Sequence, residues 1–234
     1  MDQGVINEIK GQADIRFAKA KWTLIVYYAV ISLASMAATG LNIIIGRVFG
    51  NMIPGVSGLI KLSVHFLVMA FLVTPMMVGL KKGIKDLKNE DKIDGCIFYA
   101  FDSERYMKIV RGTIFYSAIC ASLFLLNYID ELVDIRVFGV IHTLSAFAVL
   151  YVMAFMLTFV ENIIADDIET SPVEACSKSI KLMTGHQKDL LDLLLSYIRC
   201  IIITIFTCGL GMFYFAPLFN CATACMYERL KENA

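Results

Sequence analysis

Six stretches of about twenty apolar residues fill most of this 234-residue chain, and its Lys and Arg residues collect in alternate gaps between them. An α-helix rises ~1.5 Å per residue, so each stretch is long enough to cross the ~30 Å hydrocarbon core of a bilayer. The pattern predicts an all-α fold: a polytopic membrane helical bundle of six transmembrane helices with short amphipathic interfacial helices. The expected spans are Thr23–Ile45, Leu59–Leu80, Ile109–Tyr128, Val137–Val160, Leu190–Cys208 and Leu210–Leu230, within one integral membrane domain over residues 1–234. Cys208-Gly209-Leu210-Gly211 is all that separates the last two, and glycine permits a tight reversal, so an antiparallel hairpin is expected there.

Composition agrees. Charged residues make up 18% of the chain against ~25% in soluble domains, and 58% is hydrophobic. A formal net charge of zero gives no ground for nucleic-acid binding. The seven cysteines show no CxxC pair and no Cys/His metal spacing, so they read as small apolar packing residues, and no metal or cofactor is expected. The first twenty residues are of mixed charge and do not read as a cleavable signal peptide.

The basic residues give the spans a direction. Seventeen of the 21 lie in the N-terminal arm, the second gap (from Lys81 and Lys82 to Arg111), the fourth gap (Lys178, Lys181, Lys188) and the tail (Arg229, Lys231). Arg47, Lys61 and Arg136 fall on the other side, and Arg199 lies within a span. The positive-inside rule then predicts a multi-pass membrane protein with both termini in the cytoplasm.

Three further segments are amphipathic. In residues 1–21, Ile6, Ile9, Ala13, Phe17 and Ala20 recur at helical spacing opposite Glu8, Lys10, Asp14 and Arg16, as in a helix lying along the cytoplasmic surface. Ile93, Ile97, Phe98 and Phe101 form a stripe in the second gap. Residues 171–185 open with the capping box Ser171-Pro172-Val173-Glu174 and stop at the C-cap candidate Gly185.

The last third carries a more specific pattern. Ala165-Asp166, Ser171-Pro172 and Glu174-Ala175 precede the run from Ser179 through Met183 and Gly185 to His186. Leu195-Ser196-Tyr197-Ile198, the glycine hairpin, Pro217, Thr223 and Tyr227 follow. With Pro75, Gly79, Ile97, Phe98 and Phe101 upstream, the chain resembles, over nearly its whole length, a bacterial integral-membrane family catalogued as domain of unknown function 975, common in Firmicutes. The resemblance implies a six-helix inner-membrane protein and no assigned reaction. Arg199 and Cys200 stand where that family tends to have a small residue and then Trp, and Leu218 stands where it has Tyr.

Polar residues inside spans are costly in lipid and usually face the bundle interior. His65, His142, Arg199 and Asn220 fall at comparable depths of ~8–15 Å from the outer ends of four spans, at ~1.5 Å per residue. They are the candidate binding residues, an outer-half polar cavity in which Arg199 would attract an anionic headgroup or solute. Glu161, Asp166, Asp167, Glu169, His186 and Asp189 form a second, cytoplasmic set. It matches no HExxH-type metal motif, and Ser171 and Glu174 read as caps. Pro75 and Pro217 each remove a backbone hydrogen bond within a span.

No nucleotide loop, GxSxG elbow or Rossmann fingerprint is present, and no catalytic residue is assigned. The preferred expectation is a non-enzymatic membrane protein that binds lipid or partner proteins in envelope maintenance or resistance. Anionic headgroups would gather at the basic second gap at ~1 kcal/mol per basic residue. A homo-oligomer or a partner membrane protein is a further expectation. The alternatives are a small-solute transporter or channel component, which needs a polar path past His65, His142 and Arg199, and a lipid-processing enzyme, which needs Asp166, Asp167 and His186 to converge.

Overall fold

The computed structural model describes residues 3–49, 54–91, 93, 95–132 and 155–233. Those residues are helical and contain no strand. Most of the fourth expected span, with Arg136 and His142, lies outside the described residues. Among the described helices, two stretches are long and apolar enough to cross a membrane: Lys21–Ile45, of 25 residues, and Ile60–Asp86, of 27.

The chain opens with α1 (Gln3–Lys19) and α2 (Lys21–Phe49). The whole stripe of Ile6, Ile9, Ala13, Phe17 and Ala20 is buried. Its partner is the last helix, α10 (Met212–Glu232), which α1 crosses. Arg16 is a correction to the sequence expectation. It follows Ala13 by three residues and precedes Ala20 by four, which puts it on the buried face, and it is 5% exposed.

The second expected span has three parts: α3 (Pro54–Val68), a π-helical turn (Met69–Val73) and α4 (Thr74–Asp86). Pro75 explains the change. It has no N–H for the Phe71 carbonyl, and its ring crowds that oxygen. The Tyr106 hydroxyl donates to the freed carbonyl at 2.7 Å, while the Thr74 N–H and hydroxyl both reach back to Met69 O. Gly79 and Gly83, one turn apart on α4, form a shelf for a 3-10 helix (Cys96–Phe101). A Cβ on Gly79 would stand 2.3 Å from the Cys96 carbonyl oxygen. Ile93 and Ile97 bury themselves on that shelf, and Phe98 points away from it.

The long α5 (Ser103–Leu132) covers the third expected span. Beyond residue 154 come the short α6 (Val160–Asp166) and α7 (Pro172–Met183). Ser171 caps α7 by accepting from Glu174 N, and Gly185 takes a positive φ of 87° just past its end.

The fifth apolar run is not one helix. It breaks at Tyr197 into α8 (Gln187–Ser196) and α9 (Ile198–Phe206). The Ser196 carbonyl, which a continuous helix would give to Cys200 N, accepts instead from Lys10 Nζ at 2.7 Å. Cys200 N turns to Tyr197 O. Gly209, at φ 92°, then reverses the chain, and Gly211 lets α10 start against Thr204, where a Cβ would be 2.7 Å from its Cα. No residue of α9 is buried, and Phe206 at its end is 84% exposed.

Candidate functional site

The crossing of α1 over α10 leaves a cleft of about 710 Å³ on one side, between α1 and the α8–α9 break. Lys10, Asp14 and Lys21 line it from the first helices, at i, i+4 and i+11, one stripe of α1 continued onto α2. Arg199 lines it from α9, and Tyr197, Tyr214 and Leu218 form its floor. Lys10 holds the Ser196 carbonyl and stands 4.8 Å from the Tyr197 ring centre. Lys21 lies 5.2 Å from the Tyr214 ring and 5.4 Å from that of Trp22. Tyr197 is buried, and its hydroxyl has no hydrogen-bond partner among the described residues. Arg199 is exposed and has no ion-pair partner among them. Three cations thus face one carboxylate across a slot whose aromatic floor gives way to the apolar surface of α9.

A clamp on the opposite side holds α1 in place. Arg16 donates both guanidinium edges to Glu228, at 2.8 and 2.6 Å. Burial works against the Arg16 charge, but the hydrogen bond and the charge of Glu228 outweigh it and hold its pKa above the ordinary value. Lys19 pairs with Asp91 at 2.9 Å and donates to the Leu87 carbonyl, and Lys88 reaches Glu228 at 3.6 Å. Below this lies Asp166 at the end of α6, which accepts from Lys85, from Lys231 at 2.6 Å and from the Tyr227 hydroxyl at 3.0 Å. Burial would raise the Asp166 pKa. The hydrogen bonds from Lys231 and Lys85, the Lys85 charge and Tyr227 reverse that and hold it below the usual carboxylate range.

The residues singled out by depth have different surroundings. His65 is buried in α3 and is not among the residues lining the Arg199 cleft. Asn220 accepts from Lys81 on α4 and donates to Ala216 O, at 3.0 Å. Arg199 faces α1, and His142 lies outside the described residues.

The remaining motif residues have structural roles. Ser179 is fully buried, donates to Met156 O at 2.8 Å and accepts from Phe159 N, pinning the entry to α6. Met183 is core, and Pro217 is buried within an unbroken α10. His186 pairs with Asp189 at 2.6 Å, while Asp167 accepts from Glu169 N and the Thr170 hydroxyl of its own loop. Asp166, Asp167 and His186 therefore serve three separate sets of partners. Among the described residues no three His, Cys, Asp or Glu side chains group as metal ligands.

Lys10, Lys21 and Tyr197 were not anticipated as site residues. Their signal was present: Lys10, Asp14 and Lys21 repeat on one stripe, and Arg199 interrupts an apolar run. What joins them is a tertiary contact between residues 186 apart.

The described residues define an all-helical protein with two helices long and apolar enough to cross a membrane and a cationic, aromatic-floored cleft. The chain is a member of the family described as protein of unknown function (DUF975), whose model matches residues 7–234. No curated protein and no solved structure matches it.

Proposed function

We propose that this is a multi-pass membrane protein that binds an anionic phospholipid of the cytoplasmic leaflet, without chemistry on it, in the cleft between α1 and the α8–α9 break. The observation that carries this reading is the convergence of Lys10, Lys21 and Arg199 beside the exposed apolar face of α9. A phosphate headgroup fits the cations, and acyl chains fit Ile198, Ile202 and Ile205. The site differs from the cavity expected from depth alone: Arg199 works with the N-terminal helix.

The six-span topology with both termini cytoplasmic is part of the same proposal. Ion pairs join the four segments that are rich in Lys and Arg: the N-terminal arm, the second and fourth gaps, and the tail. Arg16 and Lys19 of the arm meet the tail and the second gap, while Asp166 and Glu169 of the fourth gap meet Lys85, Lys231 and Lys108. Groups that pair directly share one side of a membrane, which supports placing all four on the cytoplasmic side. A role in envelope maintenance or resistance fits a lipid-binding protein of this kind.

The chain's one tryptophan, Trp22, sits beside Lys21 and reports on the cleft. In nanodiscs carrying a small fraction of brominated lipid, brominated phosphatidylglycerol should quench it more than brominated phosphatidylcholine. Arg199→Ala should lower the anionic preference by roughly fivefold, from ~1 kcal/mol per basic residue. Lys178→Ala, remote from the cleft, should leave it intact. Equal quenching by the two lipids in the unaltered protein, or an undiminished preference in Arg199→Ala, refutes the site.

A further inference from the structure

The cations of the α1 cleft are held at its two ends. At one end the Lys10 ammonium donates to the Ser196 carbonyl at 2.7 Å and lies 4.8 Å from the Tyr197 ring centre. Arg199 lines the cleft three residues on from that carbonyl. At the other end the Lys21 ammonium lies 5.2 Å from the Tyr214 ring and 5.4 Å from that of Trp22. Contact with two ring faces favours the cation there. Lys10 and Lys21 are eleven residues apart on one stripe, a rise of ~16 Å at ~1.5 Å per residue.

Asp14 lines the cleft between them, four residues from Lys10 and seven from Lys21. It is exposed and has no ion-pair partner among the described residues. An ionised carboxylate only accepts hydrogen bonds, so it takes a hydroxyl and repels a phosphate. The stripe thus runs cation, acceptor, cation, and with Arg199 the cleft carries two net positive charges. A single phosphodiester at either end leaves the other end empty, and at the centre it meets Asp14. The volume of about 710 Å³ falls within the ~300–1,000 Å³ that enclose a whole organic ligand.

We propose that the lipid of this cleft carries two phosphodiesters joined by a hydroxyl-bearing bridge, a headgroup of the diphosphatidylglycerol type. This rests on the lipid reading above and narrows it. One phosphate sits at Lys10 and Arg199, the other at Lys21, and Asp14 accepts from the bridging hydroxyl. Two phosphodiesters carry two negative charges, which balance the net charge of the cleft. Exposed apolar side chains flank both ends: Ile198 and Ile202 of α9 beside Arg199, and Trp22 and Val26 of α2 beside Lys21. Each offers a surface to one of the two pairs of acyl chains that such a lipid brings.

Quenching of Trp22, at the Lys21 end, tests this with the full chain in nanodiscs. Brominated diphosphatidylglycerol and brominated phosphatidylglycerol are compared at equal phosphate and equal bromine. The two-phosphate lipid should reach half-maximal quenching at a roughly fivefold lower fraction, because it engages the cations at both ends. Lys21→Ala should abolish that excess, and Lys21→Arg should keep it. An analogue with hydrogen in place of the bridging hydroxyl should bind the unaltered protein more weakly than its parent, and Asp14→Ala should erase the difference. Half-maximal quenching at the same fraction for both lipids, with phosphatidylglycerol still ahead of phosphatidylcholine, overturns the inference and leaves the lipid reading standing. An excess that survives Lys21→Ala, an analogue that binds as its parent does, or a difference that survives Asp14→Ala also overturns it. Equal quenching by phosphatidylglycerol and phosphatidylcholine refutes both.

Discussion

The two faces of the α1–α10 crossing are held by different forces. Toward the end of α10, Arg16 and Lys88 both pair with Glu228 and Lys19 pairs with Asp91, with the Arg16–Glu228 pair largely out of water. Toward its start, the α9 hairpin exposes Ile202, Ile203, Ile205, Phe206, Leu210 and Met212. The first region gets its stability from paired buried charge, which is costly to break by halves. The second has no ion pair among the described residues and presents a run of exposed apolar side chains. The same last helix takes part in both, so it couples a largely buried ion-pair clamp to an apolar hairpin.

The comparison breaks first at Glu228. Glu228→Leu leaves Arg16 buried without its carboxylate and should cost about 3–5 kcal/mol, read as thermal unfolding in detergent. Adding Arg16→Leu should recover most of the loss, since removing both charges leaves neither unpaired. A single variant as stable as the unaltered protein would mean the clamp does not hold α1.

Ile203→Lys probes the other region. In detergent its unfolding should stay within about 0.5 kcal/mol of the unaltered protein, because the side chain is exposed. In a membrane-insertion assay it should lower insertion by less than the roughly 2.5–3.5 kcal/mol of a lysine at the centre of a span, because Ile203 lies five residues from the end of the expected span Leu190–Cys208. Unimpaired insertion would put α9 outside the hydrocarbon.

The smallest effect concerns Asp166. Its folded-state pKa is depressed, so it contributes stability above its unfolded value, and this is lost as pH falls through the folded one. Asp166→Asn should therefore lose about 1–3 kcal/mol at neutral pH and progressively less on acidification, measured by denaturant unfolding across pH. A loss independent of pH would show that the carboxylate's charge is not what binds Lys85 and Lys231.

What could be read in advance follows from the range of the interactions. Stripes at helical spacing and caps are local, so α1, the Ser171 start of α7 and the glycine hairpin are visible in the chain itself. Arg16 was assigned to the wrong face because charge suggested solvent, while its spacing from Ala13 and Ala20 pointed inward. The break at Tyr197 has no local signal, since Leu190 to Phe206 reads as one apolar run. It comes from an ammonium group near the other end of the chain taking a carbonyl. The cleft was hidden for the same reason: of its three cations, Lys10 belongs to the first helix and Lys21 to the very start of the second, neither of which depth along the spans describes.

Residues 16 and 228 are 212 positions apart, and this separation has a consequence for biogenesis. During synthesis the first helix emerges with an arginine on its apolar face and no acid to receive it. It cannot form that pair until the final helix has been made. The clamp therefore closes only on a chain whose last segment has been made. A chain stopped short of Glu228 would display an unmatched cation on the apolar face of its first helix.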